Sequence, residues 1–510
     1  AGIPFFFIFP LKADVAALTN VMSQEFAVRN RILAVEVHAD RIVIGTDQPF
    51  ITEWQTNLER SLAPKKIERV LLNPEQIQRY LLEYYQVSRA VSSSQNSNAF
   101  DRDNKGVEAL LQLGDAQNPD ANDQHIVKLV DWVLQFAFEQ GASDIHLEPR
   151  KDKGKVRFRI DGVLHTIYNM PANTLMAVIS RIKILGRMNV AEKRRPQDGR
   201  LKTRTPKGQE TELRLSTLPT AFGEKLVMRI FDPEVLVRSF QQLGFGEHLL
   251  QSWDALTQHS HGIILVTGPT GSGKTTTLYS SLKQLATEQV NVCTIEDPIE
   301  MLEPSFNQMQ VNPAIELGFA DGVRALMRQD PDIIMVGEIR DHDTANMAIQ
   351  AALTGHLVLS TLHTNDAPSS LTRLHDLGVQ PFLTAATILG VLAQRLVRQL
   401  CPHCKQQTAI NPQEWEHLTF DYIMEMPETM YKAVGCEACR QTGYKGRVGI
   451  YEFMPVSLDS KTIISANGTL NDLKAQAKKE GIEPLRIAGA RKVIEGITTL
   501  EEVLRVVPLS

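Results

Sequence analysis

The sequence contains no run of about 18 uncharged apolar residues, so it offers no segment that would cross a bilayer as a helix. Its apolar opening, Gly2-Ile3-Pro4-Phe5-Phe6-Phe7-Ile8-Phe9, is too short to span and has no basic flank, so it does not read as a secretory signal. The expectation is a cytoplasmic protein, or one peripheral to a membrane. Neither sign of charge dominates: 54 Lys and Arg against 59 Asp and Glu leave a net −5, which gives no general attraction to nucleic acid. Cysteine is scarce, five in 510 residues, and four of the five form two CxxC pairs, a pattern that in a reducing compartment points to metal rather than disulfide. No internal repeat is present.

What remains is the composition of an ordinary folded protein, with 43% hydrophobic and 22% charged residues. The length exceeds one hydrophobic core and suggests about three or four domains. Residues 1–90 read as a small α/β domain, with a helical run over 15–25 and a hairpin from the alternating stretches 32–37 and 41–45. Residues 91–123 have the polar chemistry of a linker. The segment 124–238 opens with an apolar-periodic helix over 126–140 and continues into the strand 155–160, which ends at the hairpin signal Asp161-Gly162. From 239 to 396, short apolar runs alternate with helical patterns, as in a parallel sheet flanked by helices. The cysteines occupy 397–442, and a helical tail follows over 443–510, with Thr498-Thr499-Leu500-Glu501 as a capping box. The fold class is multidomain α/β.

The chemistry concentrates after the strand-like run 262–267. There Gly268-Pro269-Thr270-Gly271-Ser272-Gly273-Lys274-Thr275 matches GxxxxGKT and leads into a helix beginning near Thr276. Glycines let successive N–H groups close on phosphate oxygens, Lys274 reaches the β- and γ-phosphates of ATP, and Thr275 supplies a Mg²⁺ ligand. Three further strands end in polar groups: 292–295 in Glu296-Asp297, 333–336 in Gly337-Glu338, and 357–362 in His363. In an open parallel sheet these would converge on the same crevice. Glu338 takes the place of the second P-loop acid, holding Mg²⁺ directly or through water, and Glu296 is the candidate to position the attacking water. The two roles are interchangeable on the sequence, because Gly337 stands where many P-loop enzymes have Asp. His363 reads as a γ-phosphate sensor, and His356 is a weaker candidate at the other end of the same strand. Positive charge would come from Arg324, Arg328 and Arg340 around the Glu338 strand, or from Arg157, Arg159, Arg214 and Arg229 in the preceding domain.

Cys401-Pro402-His403-Cys404 and Cys436-Glu437-Ala438-Cys439 form two thiolate knuckles that suit tetrahedral coordination of Zn²⁺ by four cysteines, with an inserted helix closing the gap between them. With all four positions filled by protein, the ion would be structural. His403 is an alternative ligand. Seven basic residues against two acidic ones over 181–200 leave a phosphate-facing patch open beside a solvated face.

The motifs taken together resemble the secretion ATPases of the type II secretion and type IV pilus assembly class, above all the GspE family of type II secretion. The likeness covers 124–510. It rests on the segments 142–149, 195–200 and 216–220, the P-loop, the "Asp box" over 294–300, Arg328-Gln329-Asp330-Pro331-Asp332, Gly337-Glu338-Ile339-Arg340-Asp341 and the "His box" over 354–365. Val323 and Met327 replace the family's usual leucines and keep an apolar side chain.

The resemblance implies a PAS-like domain followed by a RecA-like domain. It also implies a homo-hexameric ring, and nucleotide contacts from Arg214, Arg229, Arg324, Arg340 and Arg373. It further implies a cytoplasmic protein docked through its N-terminal domain on a bitopic inner-membrane protein and coupled to a polytopic platform protein. The expected function is ATP-driven pseudopilus assembly and export, with type IV pilus assembly as the alternative. Two other readings compete, a nucleotide-gated scaffold with little turnover and a nucleic-acid translocase; the intact acids oppose the first and the charge balance the second.

Overall fold

The computed structural model describes residues 3–6, 8, 15–74, 76–78, 80, 81, 84, 85, 122–206, 208, 210–230 and 238–508. The linker expected at 91–123 lies outside them except for its last two residues. The chain divides into two compact units, Ala1–Phe231 and Asp232–Ser510.

In the first unit the helical run expected over 15–25 is split into Val15–Thr19 and Gln24–Asn30. Ser23 causes the break, because its side chain accepts the Phe26 N–H and starts a new helix. The expected hairpin is present as β1 (Ile32–Val37) and β2 (Arg41–Thr46), and β3 (Lys66–Leu71) adds in parallel to β2 after the helix Glu53–Leu62. Further along, the helix Gln124–Glu139 buries Ile126, Leu129, Val130, Val133 and Ala137 at helical spacing. Beside it stands an antiparallel sheet of β4 (Asp144–Pro149), β5 (Lys153–Ile160), β6 (Val163–Pro171), β7 (Gln197–Arg204), β8 (Glu210–Thr220) and β9 (Gly223–Ile230), in the order β6-β5-β4-β9-β8-β7. Asp161 and Gly162 both take positive φ, 49° and 84°, as a two-residue hairpin between β5 and β6 requires.

The second unit is built on a sheet of β10 (Gly262–Thr267), β11 (Val292–Glu296), β12 (Asn307–Gln310), β13 (Ile333–Val336), β14 (Leu357–Leu362), β15 (Ile388–Leu400) and, beyond a hairpin of β16 (Gln406–Ala409) with β17 (Thr429–Lys432), β18 (Tyr444–Pro455). The order is β12-β11-β13-β14-β10-β15-β18, parallel except for β18. Alternate residues serve opposite faces: Ile263 and Leu265 join one buried cluster, Ile264 and Val266 another. β15 runs across the boundary expected at 396, and the tail expected to be helical begins with β18. The helix Pro412–Thr419 does lie between the cysteine pairs. In the last helix, Leu500–Val506, the cap is Thr499, which accepts the Glu502 N–H. The capping box read from the sequence therefore shifts by one residue, and Glu502 turns its carboxylate to Arg398 and Arg505 instead of the cap.

Candidate nucleotide and metal sites

The P-loop joins the end of β10 to the helix Lys274–Leu285. Its glycines take conformations that side chains resist, with φ of 150° at Gly268, 80° at Gly271 and 88° at Gly273. A Cβ at Gly268 would meet the Gln394 carbonyl at 2.6 Å. The Lys274 ammonium donates to the carbonyls of Gly268 (2.9 Å) and Pro269 (3.2 Å). Burial lowers its pKa to about 8, with Arg395 adding to the shift and Glu338 opposing it.

Glu338 follows β13, and its carboxylate is ion-paired to Arg340 and lies 3.4 Å from His363 Nε2. Hydrogen bonds from β14 fix this segment: Ser360 Oγ to the Val336 carbonyl (2.7 Å), Thr361 Oγ1 to the Gly337 carbonyl (2.8 Å), and the Ile339 N–H to the Thr361 carbonyl (3.0 Å). Thr267 does the same for the His363 segment, donating to the Leu362 carbonyl (3.1 Å) and accepting the Thr364 N–H (2.9 Å). Gly337 has a packing reason, since a Cβ there would come 3.2 Å from the Ile295 carbonyl. Lys274, Glu338, Arg340 and His363 thus belong to one crevice.

His356 does not join them, and Glu296 turns its carboxylate to other partners. Glu296 is buried, and both its oxygens are occupied by neutral donors: Tyr279 Oη (2.7 Å), Thr294 Oγ1 (2.8 Å) and Gln308 Nε2 (3.1 Å). His356 stands at the amino end of β14, where its carbonyl accepts the Gly262 N–H and its ring meets the Ala351 carbonyl. About 20 Å of strand separates it from the His363 end.

The arginines divide likewise. Arg324 pairs with Asp321 on its own helix, and Arg373 is exposed on the helix Ala367–Asp376. In the first unit, Arg159, Asp144, Arg229, Arg214 and Arg200 stand opposite one another on β5, β4, β9, β8 and β7, a row with four cations to one anion. Arg229 Nε donates to Asp144 at 3.0 Å. Arg157 is tied to the buried Glu148 at 2.6 Å. The patch over 181–200 is less basic than it reads, because Lys183 is buried against Glu224 at 2.7 Å.

The four cysteines expected as ligands, Cys401, Cys404, Cys436 and Cys439, have sulfurs all within 4.8 Å of one another. The pairs 401/436, 404/439 and 436/439 lie at 3.7 Å. A tetrahedron with metal–sulfur bonds of about 2.3 Å has edges of about 3.8 Å, so the set fits one tetrahedral ion. Backbone N–H groups of Gly435, Cys436 and Gly443 point at the sulfurs. Burial raises the Cys439 pKa, but the N–H groups of Cys436 and Gly443 outweigh it and bring the thiol to about 7. His403 is exposed and outside the cluster.

Sequence reading missed Thr267, Thr364, Tyr279, Gln308, Gln394 and Arg395. Only Thr267 ends a strand; Tyr279 lies within the helix Lys274–Leu285, Gln308 within β12 and Gln394 and Arg395 within β15, and nothing local in the sequence marks their partners.

The family described as type II/IV secretion system protein matches residues 119–505, and the MshEN domain matches 1–91. The chain is 81% identical over 509 residues to the type IV pilus assembly ATPase TfpB of Acinetobacter baylyi, covering 100% of this chain and 87% of that one. To the type II secretion system ATPase E of Vibrio cholerae it is 38% identical over 478 residues, 90% of this chain and 94% of the other. Among solved structures, the pilus retraction motor PilT with bound ADP aligns with a TM-score of 0.52 at 25% identity, over 74% of this chain and 96% of that chain. The Legionella pneumophila ATPase DotB aligns at 0.53 and 20%, over 77% and 97%, a likeness of fold alone. This chain belongs to the type II/IV secretion system protein family and is an ATP hydrolase.

Proposed function

We propose that this chain is the motor of type IV pilus assembly, hydrolysing Mg-ATP in the crevice at the carboxyl ends of β10, β13 and β14. The observation that carries the pilus reading over type II secretion is the 81% identity to a pilus assembly ATPase along the whole chain, including the N-terminal segment that the MshEN domain matches. This reverses the order expected from the sequence. Type II secretion stays the second reading, supported by the 38% identity over 478 residues.

In this mechanism the N–H groups of the loop from Gly268 to Thr275 close around the β- and γ-phosphates, with the helix Lys274–Leu285 directing its positive end at them. Lys274 leaves the Gly268 and Pro269 carbonyls for phosphate oxygens. Mg²⁺, when bound, offsets phosphate charge, with Thr275 as its ligand. Glu338 orients the attacking water, and His363 beside it senses the γ-phosphate and steadies the water network. Glu296 acts through Tyr279 to brace the P-loop helix. The assembly is a homo-hexameric ring of PAS-like and RecA-like domains, in which the arginine row centred on Arg214 and Arg229 is a source of positive charge.

Zn²⁺ in the four-cysteine site would be structural. The working location is the cytoplasmic face of an inner membrane, with the N-terminal domain on a bitopic protein and a polytopic platform protein receiving the stroke. No helix among the described residues is long and apolar enough to cross a membrane itself.

Deleting the gene in its host and counting surface pili beside secreted type II substrates tests the proposal. Loss of pili with secretion intact is expected, and the opposite pattern assigns the chain to type II secretion.

A further inference from the structure

The Ser272 carbonyl in the P-loop accepts a hydrogen bond from Gln394 Nε2 at 2.6 Å. The same amide accepts Thr277 Oγ1 at 2.8 Å, so its nitrogen faces the loop and its oxygen the first turn of the helix. Gln394 is 1% exposed, on β15 next to the residue paired with Thr267. It leaves the loop no slack, since a Cβ at Gly273 would lie 3.1 Å from its Nε2 and one at Gly268 2.6 Å from its carbonyl. Arg395 continues the contact, donating to the Gln394 carbonyl (3.1 Å) and to the Asn365 carbonyl (3.0 Å) just after His363. Behind it, the buried Glu452 accepts the N–H groups of Ala367 and Leu485.

The geometry points to Gln394 as a positioning residue for ATP: its amide fixes the Ser272 carbonyl and with it the orientation of the loop peptides, while Arg395 ties β15 beside Gln394 to the His363 segment. A phosphate-binding loop works by presenting N–H groups only, and a carbonyl rotated into it repels the ligand. The Ser272 carbonyl has a fixed donor in Gln394, which keeps that rotation unfavourable. The inference rests on the reading of this loop as the nucleotide site.

The test is made on the full chain with a fluorescent ADP, steady-state ATP turnover and thermal melting. Gln394→Met keeps the volume and removes both hydrogen bonds. It is expected to weaken ADP binding about tenfold and to raise KM for ATP in step, with kcat changed by less than about threefold because Glu338 and His363 are untouched. Gln394→Glu, which keeps the acceptor for Thr277 but sets a carboxylate against the Ser272 carbonyl, is expected to weaken binding at least as much and stands in if the Met variant does not fold. Lowered melting with unchanged ADP affinity and KM overturns the positioning role and leaves Gln394 a packing residue. Lys274→Ala separates the two levels: unchanged ADP affinity there removes the nucleotide reading itself, whereas lost affinity there beside normal binding in both Gln394 variants removes only the clamp.

Discussion

Around Glu502 the charges are matched inside the protein, whereas around Glu338 they are shared among groups that can change partner. Glu502 accepts from the Arg398 N–H (3.0 Å), Arg398 Nη2 (2.8 Å) and Arg505 Nε (2.8 Å), and the Arg398 guanidinium lies 4.0 Å over the Tyr444 ring. Burial alone would raise the Glu502 pKa; the arginines outweigh it and hold the group at about 2. In the crevice, Lys274 rests on carbonyls of its own loop and Glu338 is divided between Arg340 and half-exposed His363. The first region spends its polar groups on shape. The second keeps them for a ligand. β15 passes through both, at Gln394 and at Arg398.

The sharpest way to break this contrast is to remove a matched charge. Glu502→Gln leaves two arginines without their buried anion and should destabilise the second unit by about 3–5 kcal/mol, read by denaturant unfolding. Because its pKa is depressed on folding, the stability Glu502 contributes is present above its ordinary value of 4.5 and is lost as pH falls toward about 2. A wild-type chain whose unfolding free energy is unchanged across that window would contradict the assignment.

A smaller effect is expected at the cysteines. Chelation, or Cys436→Ser, should lower the melting temperature by about 5 °C, which corresponds to roughly 2 kcal/mol for a unit of this size. ADP affinity should stay within about threefold, since the metal corner supports shape and not phosphate contact. Loss of nucleotide binding on chelation would merge the two regions.

The crevice has its own pH signature. With Lys274 at about 8 before nucleotide binds, binding below that pH needs no proton and binding above it must take one up. ADP affinity should therefore fall as pH rises beyond about 8, approaching tenfold per unit, and Lys274→Arg should flatten the slope. An affinity flat to pH 10 in the parent chain would mean that the ammonium is not the group in contact.

The sequence made much of this legible where one local pattern decides. The runs at 262–267, 333–336 and 357–362 are wholly buried strands bounded by turn residues, and the P-loop and cysteine spacings specify their chemistry within a few residues. β15 was not legible, because an apolar run following the helix Pro381–Thr387 satisfies strand and helix alike. The partners of Glu296 were hidden for another reason: Tyr279 lies in the P-loop helix and Gln308 on β12, so only the folded sheet shows that this carboxylate is already engaged. The sequence ranked His363 above His356, and the direction of β14 widens that difference by leaving only His363 at the carboxyl end of the strand.

The most direct test of the account sets the two glutamates side by side, measuring phosphate release and ADP affinity for Glu338→Gln and Glu296→Gln in the full chain. Glu338→Gln should slow turnover by about a hundredfold or more with ADP affinity retained, and Glu296→Gln by less than about tenfold. Fast turnover in Glu338→Gln beside a dead Glu296→Gln would contradict it.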